Sequence, residues 1–215
     1  MPASRSSPVV VGIDVGGKKK GFHAVSLEGS SYRDQLDTTN TAKLVQWCVN
    51  DMRATVIAVD APCRWRVNEE GRLAERELMQ QGIFCFSTPT SEVAHRPHPT
   101  NYFDWMLRGE ALYQALHPTH PVCEAWPTRR KHYCFETFPH AITWHLRDGN
   151  ANAKQKRTQR RQLLEQHGIS TDLLTNIDWV DAALCALTAD MAARGRRVHP
   201  FGDPKTGFII APART

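Results

Sequence analysis

Carboxylates stand at the ends of three apolar segments of this sequence. Asp14 ends "VVVGID", Asp60 ends "VIAVD" and Glu136 ends "CFE". A fourth acid, Asp181, lies in "DWVDAALCALTA", a segment with helical spacing. Because the carboxyl ends of parallel strands converge on one crevice of an open α/β sheet, we expect these acids to meet there. Acids that share a crevice repel one another, and hard divalent cations relieve this repulsion by binding carboxylate oxygens.

These four acids are therefore the candidate catalytic and metal-binding residues, with Mg²⁺ or Mn²⁺ as the candidate ion. Each of the first three has a structural alternative. Asp14 would cap the glycine turn that follows it, Asp60 would be a strand-end turn residue, and Glu136 would pair with an arginine. Asp178, three residues before Asp181, is an acid that favours the first turn of a helix, whereas Asp181 is better placed for a site.

Basic residues form three groups that suit a phosphate-rich partner. The chain has a formal charge of +5, with three consecutive lysines after the first strand and the block "KQKRTQRR" at 154–161. Two more arginines lie four residues apart on one face of a predicted helix. Lysine and arginine contact nucleic acids chiefly through phosphates. The candidate phosphate-binding residues are Lys18, Lys19, Lys20, Arg72, Arg76, Lys156, Arg157 and Arg160.

Other roles are open to several of these side chains. The basic block would equally form the solvated face of a helix, and Arg72 or Arg76 would pair with Glu136. Aromatic side chains that would stack on unpaired bases, or else lie in the core, are Trp65, Trp105, Trp126 and Trp144.

The elements that must position these residues follow from the hydrophobic pattern. Segment 8–15 predicts a buried strand, and two alternating segments divided by Gly29 complete a three-stranded meander. A helix over 41–52 and an apolar strand ending at Asp60 indicate a parallel crossover. Further helices are predicted over 68–83, over 104–116, from Pro139, in the basic block and over 176–195, followed by a terminal hairpin. The pattern predicts an α/β fold, with a mixed central sheet of a three-strand meander plus parallel strands, flanked by helices.

Length and composition favour a single domain over residues 1–215, with a helical and loop insertion at about 63–121. No run approaches the roughly 18 apolar residues of a membrane span, and "MPASRSSP" lacks the apolar core of a signal peptide. The six cysteines include no C-x-x-C pair and are expected to be reduced thiols. We therefore expect a cytoplasmic protein without a membrane partner.

The order of several motifs resembles a known family. "GIDVGGKKKGFHAVSL", "AVDAPCRW", "AERELMQQGIFCFSTPT", "ETFPHA" and "DWVDAALCALTA" are similar to domain-of-unknown-function family 429, whose members are described as predicted ribonuclease H-like nucleases. The resemblance implies a ribonuclease H-like fold and a two-metal site that cleaves nucleic acid. It also implies that Asp14 bridges the two metals and that Asp60 and Asp181 each complete the coordination shell of a metal. Glu136 is then the fourth candidate acid of the site.

Two other functions compete with a nuclease. The segment "GIDVGGKKKG" looks like the first phosphate loop of actin-like ATPases, which would indicate a phosphotransferase. A second phosphate loop, which such enzymes need, is not recognisable in the sequence. The third interpretation is a binding module for nucleic acid or protein that keeps the fold without the chemistry.

Overall fold

Residues 7–214 of the chain are described by a computed structural model. Residues 1–6, which make up most of the segment "MPASRSSP" discussed above, lie outside the described residues. The strands are β1 Val9–Val15, β2 Phe22–Glu28, β3 Ser31–Thr38, β4 Val56–Asp60, β5 Tyr133–Glu136, β6 Val198–Asp203 and β7 Gly207–Pro212. The helices are α1 Thr41–Gln46, α2 Leu73–Gln80, α3 Ser91–His95, α4 Asp104–Leu116, α5 Pro139–Leu146, α6 Lys156–Gln166 and α7 Ile177–Ala193. None of these helices is both long enough and apolar enough to cross a membrane.

The strands of the described residues form one seven-stranded sheet in the order β3-β2-β1-β4-β5-β7-β6. The first three pair antiparallel, and β4 and β5 continue the sheet parallel to β1. This arrangement confirms the predicted α/β fold class, a mixed central sheet of a three-strand meander plus parallel strands, flanked by helices. The predicted terminal hairpin is β6 and β7, and it extends the same sheet because β7 pairs parallel to β5. The sequence pattern did not indicate that extension.

A different set of helices packs against each face of the sheet. Side chains on one face, such as Val10 of β1 and Ala58 of β4, pack against α5, α6 and α7. Side chains at the alternate positions of the same strands, such as Ile13 and Ile57, point to the opposite face, where α1 and α4 cover them. This alternation follows from the two-residue period of a strand. The face that α7 covers is therefore also the face on which Asp14 and Asp60 lie.

Helix α7 forms as its sequence predicts. The side chain of Asn176 caps it by accepting a hydrogen bond from the backbone N–H of Trp179 at 3.0 Å. A series of buried alanines then lets the helix pack close to the sheet, with Ala182 and Ala186 directly over β1. The close packing brings the first turns of α7, which carry Asp178 and Asp181, to the carboxyl edge of the sheet.

Gly12 is the position at which this packing is tightest. A Cβ atom added to Gly12 would overlap the backbone of Ala182 and Ala186. We therefore expect Gly12→Ala to lower the free energy of unfolding by about 1–3 kcal/mol, measured by urea denaturation. Gly17→Ala is the control, because its Cβ would have only an ordinary contact, 3.5 Å from Asp104 Oδ2. Equal stability of the two variants would contradict the expectation.

Candidate metal-binding and active site

Asp14 and Asp60 lie side by side at the carboxyl edge of the sheet. They are paired positions of the parallel strands β1 and β4, so their side chains lie on the same face. Asp178 and Asp181, both buried, approach that edge from the first turns of α7. The structure thus brings three of the four predicted acids, Asp14, Asp60 and Asp181, into one region, and it adds Asp178.

The electrostatics of these acids reflect their crowding. Burial, together with the charges of Asp181 and Asp178, raises the pKa of Asp14 to about 7. Burial and the charges of Asp14 and Asp181 raise the pKa of Asp60 well above its ordinary value. Burial also raises the pKa of Asp181, although the charge of Arg160 opposes the shift. Without a further cation, burial and mutual repulsion therefore disfavour the ionised form of all three carboxylates.

A histidine that the sequence analysis missed completes the tightest part of this cluster. His23 of β2 is paired with Asp14 across the antiparallel hairpin. One ligand atom from each of Asp14, His23 and Asp178 can be chosen so that all three lie within 4.8 Å of one another. Within residues 7–214, no other three histidine, cysteine or acidic side chains bring their ligand atoms this close together. Asp60 and Asp181 lie outside it, so the predicted four-acid set is not a single compact cluster.

The state of His23 suits a metal ligand. The side chain is only 9% exposed, and its Nδ1 atom has no hydrogen-bond partner in the part of the chain that the structure describes. Burial lowers the pKa of the imidazole, which therefore remains neutral and can offer a ring nitrogen to a cation. The ring packs edge-on against Trp179, with 4.7 Å between centroids, and this contact limits its rotation. The donor set fits a divalent ion.

Two basic side chains neutralise the acids of α7. Lys20 Nζ donates a hydrogen bond to Asp178 Oδ1, and Arg160 Nη1 donates one to Asp181 Oδ1. Arg160 is buried, whereas half of the Lys20 side chain is exposed. Both residues were predicted to bind phosphate, and the structure instead pairs them with carboxylates. Lys20 is nevertheless at the surface, where a ligand can reach it.

Glu136 is near enough to Asp60 for its charge to help raise the pKa of Asp60, but its carboxylate is bound by Arg72. Glu136 is paired with Val59, so strand alternation places its side chain on the face opposite to Asp60. Its carboxylate accepts two hydrogen bonds from Arg72, one of them 2.9 Å from Nη1 to Oε1, and a third from the backbone N–H of Cys63 at 2.8 Å. Arg72 is fully buried, and its Nε donates to the carbonyl of Thr206 at 2.9 Å. The ion pair between Arg72 and Glu136, one of the alternatives considered above, is therefore the arrangement observed. It leaves no guanidinium N–H of Arg72 exposed to a phosphate.

The remaining predicted basic residues lie at the surface. Lys18 and Lys19 are exposed, and the backbone N–H of Lys18 bonds Asp104. Arg76 pairs with Glu70 at 3.1 Å. Among the predicted basic residues of α6, Lys156 and Arg157 are exposed, and the Arg157 guanidinium donates to the backbone carbonyl of Thr175 at 3.0 Å.

The sequence contains a signal for each of the two candidate ligands that the sequence analysis did not select, His23 and Asp178. His23 follows Asp14 by nine residues across a glycine-containing turn, and antiparallel pairing about that turn places the two opposite each other. Asp178 lies three residues before Asp181, so both project from one side of α7.

Comparisons with known proteins relate the chain to one family. The model of the family described as "Protein of unknown function (DUF429)" matches residues 12–206. A solved structure of RuvC from Thermus thermophilus has 18% identity and a TM-score of 0.45, covering 87% of this chain and 96% of that chain. A second, of RuvC from T. thermophilus in complex with a Holliday junction substrate, has 16% identity and a TM-score of 0.47 with the same coverage. No curated protein matches the chain.

Proposed function

The chain belongs to the family of unknown function DUF429, and from the chemistry of its own site we propose that it is a divalent-metal-dependent phosphodiesterase that cleaves nucleic acid. The observation that carries the proposal is the convergence of Asp14, His23 and Asp178 beside two more aspartates with raised pKa values. Crowded acids of this kind are stabilised by a cation. Carboxylates suit both Mg²⁺ and Mn²⁺, and the added imidazole favours Mn²⁺.

Each site residue has a role in this proposal. Because β1 lies between β2 and β4, Asp14 stands between His23 and Asp60, and the charges of both Asp178 and Asp181 act on it. We propose that Asp14 would therefore help to hold ions on both sides. Divalent ions held by such carboxylates supply activation of a water molecule and stabilisation of the leaving oxygen of a phosphodiester. We propose that Arg72 and Glu136 stabilise the fold beneath this site and do not bind metal or phosphate.

The surface charge next to the site supports a polyanionic substrate. Lys18, Lys19 and Lys20 follow Asp14 in the turn between β1 and β2, and all three are exposed. Lys156 acts electrostatically on Asp181, so the start of α6 lies near the same acids. We propose that these lysines contact the phosphates on either side of the cleaved bond, which would make binding weaken as salt concentration rises. A cytoplasmic location remains part of this proposal.

A cleavage panel tests the proposal. Purified protein would be incubated with labelled single-stranded, duplex, hybrid and branched nucleic acids in Mg²⁺, in Mn²⁺ and in EDTA. We expect products in the presence of either ion and none in EDTA. Binding of nucleic acid without cleavage under every condition would favour the binding module instead, and hydrolysis of ATP without cleavage would favour the phosphotransferase.

A further inference from the structure

A cavity of about 410 Å³ opens directly beside the proposed active site. Its lining combines the aromatic rings of Phe86, Trp105 and Phe138 with the glycine turn that follows β1 and with the charged residues Lys20, Asp60, Glu75 and Glu136. Pockets that hold small organic groups commonly measure roughly 300–1,000 Å³ and combine apolar walls with a few polar groups. The cavity therefore has the size of a ligand pocket and combines aromatic walls with a few charged groups.

Aromatic rings lie exposed at this cavity. Phe86 is 61% exposed, and its ring centroid lies 5.9 Å from that of Trp105 and 6.2 Å from that of Tyr102. Tyr102 is also exposed and packs edge-on against Phe103. Aromatic rings left in water beside a pocket indicate a surface that a partner covers. Flat rings of this kind favour a flat, apolar partner with a polar edge.

We propose that this cavity holds one unpaired nucleobase of a single-stranded nucleic acid, with the adjoining phosphate at Lys20 and the acidic cluster. The inference rests on the proposed function and specifies its substrate. The aromatic rings match the faces of a base, and Lys20 matches the phosphate that the base carries. A base in a duplex would have to leave its stack to enter, so the pocket selects single-stranded or unpaired regions over continuous duplex.

Fluorescence anisotropy with labelled oligonucleotides tests this inference without depending on cleavage. A 12-nucleotide single strand, its duplex, and the same strand with abasic positions would be titrated in Ca²⁺ and in EDTA, with the strands checked on a gel for intactness. The variant is Phe86→Ala, and Phe86→Leu keeps the apolar volume without the ring. Phe84→Ala is the matched control, because Phe84 is 72% exposed in the same segment but does not line the cavity.

We expect the wild-type protein to bind the single strand more tightly than the duplex or the abasic strand. Phe86→Ala should weaken single-strand binding by about 5- to 150-fold, the loss that corresponds to one base stacked on an aromatic ring. Phe86→Leu should lose most of the same affinity, and Phe84→Ala should bind as the wild type does. Because Phe86 is exposed, all three variants should fold normally.

Four outcomes would overturn the inference, and each is read from binding and not from cleavage. Equal affinity for single strand and duplex, or wild-type affinity of Phe86→Ala, would remove the base pocket even if the cleavage panel succeeds. Absence of binding to any oligonucleotide would also remove it. Binding of ATP that Phe86→Ala abolishes, without preference for a single strand, would assign the cavity to a free nucleotide. Failure of the proposed function is read from the cleavage panel alone.

Discussion

Asp14→Asn is expected to abolish metal-dependent cleavage, lowering the rate by roughly a thousandfold or more, while leaving the fold intact. Ions held by carboxylates contribute several kcal/mol of transition-state stabilisation, and about 1.4 kcal/mol corresponds to each tenfold in rate. Asparagine has nearly the volume of aspartate, so the packing of β1 against α7 is retained. Because burial and the charges of Asp181 and Asp178 disfavour the Asp14 carboxylate, the neutral amide should also make the metal-free protein at least as stable as the wild type.

Cleavage rates, Mn²⁺ binding followed by electron paramagnetic resonance, and thermal unfolding would be measured for this variant. Asp181→Asn should lose cleavage in the same way, and His23→Ala should bind Mn²⁺ more weakly than the wild type. The matched control is Asp51→Asn, because Asp51 is exposed and lies outside the site. Full activity of both Asp14→Asn and Asp181→Asn would rule out the proposed role of these acids.

Arg72→Met is expected to lower the free energy of unfolding by about 3–5 kcal/mol, the usual effect of removing one partner of a buried ion pair. The variant would leave the Glu136 carboxylate buried with the N–H of Cys63 but without the guanidinium that accompanies it. It would also leave the Thr206 carbonyl without the hydrogen bond from Arg72 Nε. The loss comes from an uncompensated buried charge and an unpaired acceptor.

Urea denaturation and oligonucleotide binding distinguish this role from phosphate binding. Arg76→Met is the control on the same helix, because Arg76 lies at the surface, and a surface change is usually worth less than about 0.5 kcal/mol. The double variant Arg72→Met with Glu136→Leu should recover part of the lost stability, since the Glu136 charge is then absent and only Glu75 still lacks the guanidinium. An Arg72→Met protein with wild-type stability and weakened binding to nucleic acid would instead support the phosphate-binding interpretation.

Much of the local structure was predictable because it depends on residues close together in the chain. The apolar runs that end at Asp14 and Asp60 form β1 and β4, and the two acids meet at the sheet edge as the rule for parallel strands predicts. The alanine-rich segment from Ile177 forms α7 behind its asparagine cap. Hydrophobic period, turn residues and capping residues are local signals, so the sequence alone determined the type and order of these elements.

Only the tertiary structure decided which side chains share the site. Glu136 ends an apolar strand as Asp14 and Asp60 do, yet strand pairing turns it to the opposite face, where Arg72, 64 residues away, neutralises it. His23 joins Asp14 through the register of an antiparallel pair, a relation that no periodicity within β2 reveals. Ion pairs and strand registers depend on contacts between distant residues and on which face each helix covers. The strand registers and the helix positions are fixed only when the core packs, because the free energy of burial depends on all the elements in contact and not on any one segment.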